Sequence, residues 1–395
     1  MDATNFVAPE WGRAFTLRGS APYVAFEPKP LPRELGLEAA TIMKLSEADA
    51  ALGRLAGAGR LLPNPHLLVN AYVTREAVAS SRIEGTQASV TEVLEATLGG
   101  GTPRDDIREV GNYVVALSHG LARLAGGFPL SLRLVKEMHE ILMRGVRGQE
   151  RTPGEFRRSQ NWISSPDNRP TSARFVPPPV DLLPDALGQW ERYLHDEDPQ
   201  LPLLIRCALL HYQFETIHPF LDGNGRLGRL FIVLYLNERG RLPAPLLYVS
   251  SYFEARKPEY YDRLQMVRER GQIQDWLVFF LDAIEAQAAD AVTRAEELAD
   301  LRERYRAALA GSRSRAVELV DIALAQPILT VRFTREEMGI SQPGAANLLR
   351  QLTDLEILSE VGEGRGRRGR WFAHDVLQIL DPTWGGTPGA DGDRQ

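Results

Sequence analysis

Twelve residues concentrate groups able to handle a phosphate: His218-Pro-Phe-Leu-Asp-Gly-Asn-Gly-Arg-Leu-Gly-Arg229. Gly223, Asn224 and Gly225 stand directly before the helical run Arg226-Leu-Gly-Arg-Leu-Phe-Ile-Val-Leu-Tyr235. N–H groups at a helix start lack backbone partners and sit at the positive end of the helix dipole, so they attract anions. Glycines there allow close approach of a phosphate and a nest of inward N–H groups. Arg226 and Arg229, three apart, share a face of the first turn and suit bidentate contacts with phosphate oxygens. Asp222 precedes the nest and suits Mg²⁺, which takes one or two carboxylates plus substrate oxygens. His218, on the same loop, suits the acceptance of a proton from an attacking hydroxyl. His218 and Asp222 also fit a hydrolase metal site, but further histidines are not at obvious spacings.

These residues need a scaffold, and most of the chain supplies helical patterns. Residues 1–35 are rich in Pro and Gly and predict a surface arm. Helical patterns run from Glu38 to about Leu98, broken at Pro63-Asn-Pro65, then over Ile107–Leu124 and Ser131–Arg144. Helices resume at Leu182–His195, Leu203–Thr216, Gly225–Arg239, Lys257–Arg270 and Gln274–Leu309. Between them, residues 151–179 place the turn formers Ser164 to Pro170 between the short apolar pieces Asn161-Trp-Ile163 and Arg174-Phe-Val176. That pattern predicts a hairpin flap with a long tip.

The signature resembles that of the Fic family, His-x-Phe-x-(Asp/Glu)-Gly-Asn-Gly-Arg-x-x-Arg, with every specified position present. Pro153-Gly-Glu-Phe-Arg-Arg158, Gln160-Asn-Trp-Ile163 and Phe175-Val-Pro-Pro178 resemble the family's flap, and Ser251-Tyr-Phe-Glu254 with Tyr260-Tyr261 a helix on the nucleotide side. The resemblance implies a mainly α fold: a Fic-type helical core with a small β-hairpin flap. It implies transfer of AMP from ATP, with Mg²⁺, to a Tyr, Ser or Thr hydroxyl of a target protein or of the chain itself. His218 would then be the base and Asp222 the Mg²⁺ ligand. Gly223, Asn224, Gly225, Arg226, Leu227, Gly228 and Arg229 would contact the phosphates, with Tyr260 and Tyr261 on the nucleotide side. Ile163, Ser164, Phe175 and Val176 would form the flap edge that pairs with an extended target segment. Some relatives carry an adenosine-contacting Asn on the following helix, where this chain has Arg268.

Ser80-Ser-Arg-Ile-Glu-Gly85 closes a helical stretch, with Ser80 and Glu84 on one side and Gly85 as the stop. It is similar to the family's inhibitory motif, (Ser/Thr)-x-x-x-Glu-(Gly/Asn). The resemblance implies that Glu84 pairs with Arg229 in the space that the γ-phosphate needs. Relatives that transfer another phosphate-containing group, or that remove AMP, are the alternatives within the family.

The 395 residues suggest several domains. The expected division is an arm and inhibitory region (1–110), a catalytic domain (111–310), a winged helix (311–381) and a tail (382–395). Over 314–372, helix, short strand, two helices and two strands follow in the order of a winged helix-turn-helix. Arg365, Arg367, Arg368 and Arg370 crowd its hairpin, yet acids and bases balance over the region. A protein-contact module is therefore favoured over DNA binding, and a nucleotide-sensing DNA-binding regulator is the reading of a different class. Net charge is −6 and the only cysteine, Cys207, lies in an apolar run. No apolar run reaches about 18 residues and no signal peptide is visible, so a cytoplasmic protein without a membrane span is expected.

Overall fold

The computed structural model describes the chain except residues 19–21, 62–64, 99–102, 198–199, 243, 312–313, 362–368, 382–383 and 385–395; the side chains of 60, 61 and 65–71 are also outside the description. In order, the elements are β1 (Gly12–Leu17), β2 (Tyr23–Pro28), α1 (Ala39–Leu61), α2 (Pro65–Ile83), α3 (Val90–Thr97), α4 (Asp105–Ala125), α5 (Leu132–Leu142), α6 (Leu183–Leu194), α7 (Leu203–Ile217) and α8 (Asn224–Glu238). There follow α9 (Ser250–Ala255), α10 (Lys257–Arg270), α11 (Ile273–Ala308), α12 (Ala316–Ala325), β3 (Ile328–Leu329), α13 (Val331–Met338), α14 (Gln342–Asp354), β4 (Ser359–Val361), β5 (Arg370–Phe372) and α15 (His374–Leu380).

Helices α7 and α8 form the centre because they are apolar on nearly every face. From Leu204 to Ile217 every residue of α7 is buried, and α8 is buried from Arg226 to Leu236. A helix buried all round has to be surrounded by others: α6 and α11 pack on α7, while α2, α4 and α5 pack on α8. The ends follow local chemistry. Ser131 caps α5 and Ser341 caps α14 by accepting from a backbone N–H, and Gly271 stops α10 at φ 70°.

Two segments depart from the expectation. The Pro- and Gly-rich arm is not merely a wrap: β1 and β2 pair antiparallel in register from Gly12–Pro28 to Leu17–Tyr23. The β-branched and aromatic residues Phe15, Thr16, Tyr23, Val24 and Phe26 were the missed signal. A last helix, α15, follows the final strand. In the C-terminal part, β5 lies between β3 and β4, antiparallel to both. This part packs through α12 and α15 against α2 and α11. Arg365, Arg367 and Arg368 lie outside the described residues, as does most of the 382–395 tail. Arg370 is described, and its guanidinium meets Glu95 of α3 at 2.8 Å. Among the described residues no helix is long and apolar enough to cross a membrane.

Candidate active site

The loop joining α7 to α8 is shaped from behind. His218 ends α7 with left-handed φ and ψ of 49° and 62°, an uncommon conformation for a residue with a side chain. It is held because its carbonyl accepts from Arg157 Nε at 3.1 Å and from Asn161 Nδ2 at 2.9 Å. The Pro219 carbonyl accepts from the Arg157 backbone N–H at 2.9 Å. Asn161 Nδ2 also reaches the Phe220 carbonyl at 2.8 Å. Asn224 clasps Phe220 from both sides: Oδ1 accepts its N–H at 2.9 Å and Nδ2 donates to its carbonyl at 2.8 Å.

Further along the loop, His139 donates from Nε2 to the Asp222 carbonyl at 3.1 Å, because its Nδ1 accepts the Gly154 N–H at 2.9 Å. Burial pushes this imidazole down to about 4, so that tautomer is kept neutral. With its carbonyls tied back, the loop presents side chains and N–H groups to the cavity in front of it.

That cavity has a volume of about 430 Å³ and is lined by residues from four places. The loop and α8 give His218, Asp222, Gly223, Asn224, Gly225 and Arg229. The end of α2 gives Ile83 and Glu84, the flap gives Ile163, Ser164 and Phe175, and α10 gives Tyr261, Gln265 and Arg268. No side chain caps α8, whose N-cap Gly223 has φ 75°. The first N–H groups of α8 therefore remain available to an anion.

Arg229 is fully buried, and its donors are divided. Nε donates to Ser80 Oγ at 2.9 Å and Nη2 to the Ser80 carbonyl at 2.9 Å and to Glu84 Oε1 at 2.7 Å. Nη1 has no partner among the described residues. Glu84 comes from a helix end built to aim it: the Thr86 N–H bonds the Ser81 carbonyl at 3.1 Å and the Gly85 N–H the Arg82 carbonyl at 3.0 Å. This closure needs a left-handed residue, and Gly85 supplies it at φ 99°. Burial opposes the Glu84 charge, but Arg229, with help from Arg226 and His218, holds the carboxyl below its ordinary value. A Cβ on Gly225 would collide with Glu84 Oε1, so the carboxylate lies against the start of α8, where an anion would sit.

His218 is half-buried. Burial first, then the guanidinium of Arg157, pushes its imidazole down to about 3, which keeps it neutral and able to accept a proton. Asp222 Oδ1 accepts the Gly223 N–H at 2.7 Å, whereas Oδ2 is left to the cavity side with Arg151 Nη1 3.7 Å away. Among the described residues no three of His, Cys, Asp and Glu converge as a metal cage. A single carboxylate oxygen facing a phosphate site still fits Mg²⁺, which completes its shell with substrate oxygens and water.

Several anticipated residues lie elsewhere. Arg226 is buried behind the loop, with Nη1 3.4 Å from Glu109 Oε2 and Nη2 near Met143 Sδ, and does not line the cavity. Leu227 and Gly228 face the interior, the latter against Glu215 and His211. Tyr260 is buried with its hydroxyl 2.8 Å from His211 Nε2, so only Tyr261 of the pair reaches the cavity. Of the flap residues, Val176 is turned away into a small cluster with Ala25 and Ala173. The flap itself is a single antiparallel pair, Ile163–Phe175. Arg157 and Asn161 stand in the segments that resemble the family's flap, and Arg268 was noted in place of an adenosine-contacting Asn, but none was given a supporting role; His139 and Glu215 carried no motif of their own. Only their chemical type could have flagged them.

The family profile described as Fic/DOC family N-terminal matches residues 42–122, and that of the Fic/DOC family matches residues 129–236. The chain carries a Fic/DOC domain. Among similar proteins are the "Protein adenylyltransferase Fic" of Drosophila erecta, 28% identical over 208 residues, and that of Drosophila grimshawi, 29% identical over 208 residues. Each alignment takes in 51% of this chain and 38% or 39% of the fly protein. The chain thus spans about two fifths of the length of these relatives. A Fic family protein from Desulfovibrio desulfuricans G20 has a similar fold, with a TM-score of 0.55 at 22% identity over 86% of this chain and 97% of that one. The Fic/DOC match ends at Arg229's own helix, so the signature arginine and the loop supports Asn161 and His139 all fall inside it.

Proposed function

We propose that this Fic protein transfers AMP from ATP to a hydroxyl of a protein and that Glu84 restrains the reaction. The observation that carries the reading is one cavity in which the uncapped start of α8 and the Arg229 guanidinium lie beside a neutral, half-buried His218. ATP binds with its phosphates at the N–H groups of Asn224 and Gly225, at the start of α8, and the terminal phosphate on Arg229. His218 takes the proton from the target hydroxyl as its oxygen bonds the α-phosphorus, and the bond to the departing pyrophosphate breaks. Alignment and charge neutralisation carry such a step. Asp222 would hold Mg²⁺, which neutralises phosphate charge when bound. Arg226, fixed by Glu109, adds positive potential from behind the loop rather than direct contact. The flap edge at Ile163 and Ser164 receives an extended target segment by backbone pairing.

Glu84 competes with the terminal phosphate for Arg229. A charged hydrogen bond of this kind contributes about 1.5–3 kcal/mol, so its loss should raise transfer about ten- to a hundredfold. The test is transfer of α-labelled ATP to protein with Mg²⁺ for the parent, Glu84→Gly and Glu84→Gly/His218→Ala. Label that rises in the first variant and disappears in the second supports base and brake together. Label that is absent from Glu84→Gly while α-labelled ATP still binds would sink the transferase reading.

A further inference from the structure

Glu215 is a buried carboxylate that neither the signature nor the brake explains. It sits one turn before His218 at the end of α7 and lines the same cavity. Oε2 lies 3.8 Å from His218 Nδ1. Oε1 has no hydrogen-bond partner among the described residues, and neither has His218 Nδ1. Burying an unpartnered acid costs stability; Oε1 is turned toward Gly228, which leaves Oε2 as the carboxylate oxygen near the open imidazole nitrogen.

We infer that Glu215 is the positioning residue of the base: its carboxylate accepts the Nδ1 proton of His218, fixes the tautomer that leaves Nε2 free, and stabilises the imidazolium formed during transfer. The inference rests on the proposed transfer reaction. Proton transfer goes from the target hydroxyl to His218 Nε2, and Glu215 stays a carboxylate throughout; the extra proton leaves His218 for solvent after pyrophosphate departs. An apo distance of 3.8 Å suits this role, since catalytic hydrogen bonds tighten when substrate is in place. The glycine at 228 belongs to the same arrangement, because a Cβ there would stand 2.5 Å from Glu215 Oε1 and push the carboxylate out of line.

Burial pushes the Glu215 carboxyl up to about 7, with Glu84 adding to the rise and Arg229 and Arg268 opposing it. Tyr260 and Tyr261 face it from α10 and His211 from its own helix. Its charge therefore appears as pH rises through the neutral range. Removing Glu84 removes one of the charges that raises it, so in that background the change falls below 7. The imidazole of His218 titrates far lower and does not produce it.

Two measurements decide the matter. In the Glu84→Gly background, the rate of label transfer is compared with that of Glu84→Gly/Glu215→Gln from pH 5 to 8, with α-labelled ATP binding as the folding control. The expected ratio is near one at the acid end and about tenfold at pH 8, with binding unchanged. A ratio that does not vary with pH, or a loss that tracks lost ATP binding, overturns the inference. Independently of any activity, ¹⁵N-histidine spectra assigned with His218→Ala should find His218 protonated on Nδ1 in the parent and tautomerically mixed in Glu215→Ala. A parent His218 protonated on Nε2 overturns it even if the transferase reading stands. If no variant transfers label, the function fails, and the spectra alone decide on Glu215.

Discussion

The signature loop and the flap face each other across one cavity and are held in different ways. In the loop, the carbonyls of 218, 219, 220 and 222 are each bound by a group from another segment, and Asn224 locks Phe220 on both sides. The flap has one bridged pair, extended by the Arg174 N–H to the Ser164 carbonyl at 3.0 Å. Its returning strand is anchored by the Met1 amino group on the Ala173 carbonyl at 2.9 Å, the Phe26 N–H on the Val176 carbonyl at 3.0 Å, Arg268 stacked over buried Phe175, and an exposed ion pair between Arg174 and Asp262. Its tip is tied mainly to itself, Ser165 accepting the Arg169 N–H and donating to the Arg169 carbonyl, both at 2.8 Å. The groups that must meet a phosphorus atom within tenths of an ångström are over-determined. The edge proposed to meet a partner's backbone is held by a short ladder, Ile163 with Phe175 and the Arg174 N–H on the Ser164 carbonyl. Precision is thus concentrated where bonds change.

This contrast can be broken by a graded series of variants in the Glu84→Gly background. The largest effect belongs to the loop: His218→Ala should lower label transfer about 10²- to 10⁴-fold with ATP binding retained. A flap variant that cost more would invert the comparison. Next comes the brake, where restoring Glu84 should cost the ten- to hundredfold already given. Because Glu84 is held below its ordinary value of 4.5, the pair with Arg229 is intact above that pH and is lost only as pH falls through the depressed value. The ratio of Glu84→Gly to parent should therefore stay within about twofold from pH 5.5 to 7, and a ratio collapsing in that window would mean another group holds Arg229.

Asn161→Ala, which removes the donor shared by the His218 and Phe220 carbonyls, should destabilise by about 1–3 kcal/mol in thermal melts. It should also lower transfer about tenfold, although it touches neither substrate. A melt unchanged by this variant would show that the loop is not held from behind. Arg174→Ala should be the mildest, within about 1 kcal/mol in stability, with its effect confined to the KM for the target. A fall in kcat there would make the flap part of the reacting centre.

The sequence made the central helices and the signature legible because each is written in local terms, whereas the Glu84–Arg229 pairing, across 145 residues, was legible only through the family resemblance. α10 begins and ends where Lys257-Pro and Arg270-Gly say it should, and Gly85 announces the close of α2. The flap was legible as a hairpin, but only its pair at Ile163 and Phe175 forms a bridge. What stayed hidden depends on tertiary neighbours. Arg226 and Arg229 share a face in projection, yet Glu109, 117 residues earlier, draws the first behind the loop. Tyr260 and Tyr261 look alike until His211 claims one of them. His139 and Asn161 act on backbone atoms 83 and 57 residues away, a distance over which a single sequence carries no spacing signal. The hairpin in the arm was missed because the Pro and Gly content of 1–35 outweighed its short β-branched and aromatic runs.

One consequence follows from the closure that aims Glu84. On the proposed reading its carboxylate is a rival to ATP that travels on the same chain, so its effective concentration is set by two backbone hydrogen bonds and a glycine, not by how much protein a cell makes. Dilution cannot relieve it and abundance cannot strengthen it. Nucleotide supply acts against a constant internal opponent, and the output of the protein is tuned by whatever disturbs the last turn of α2. The helix that carries that turn, α2, packs against α8 and also against the C-terminal helices α12 and α15, so one element joins the C-terminal part to the throttle.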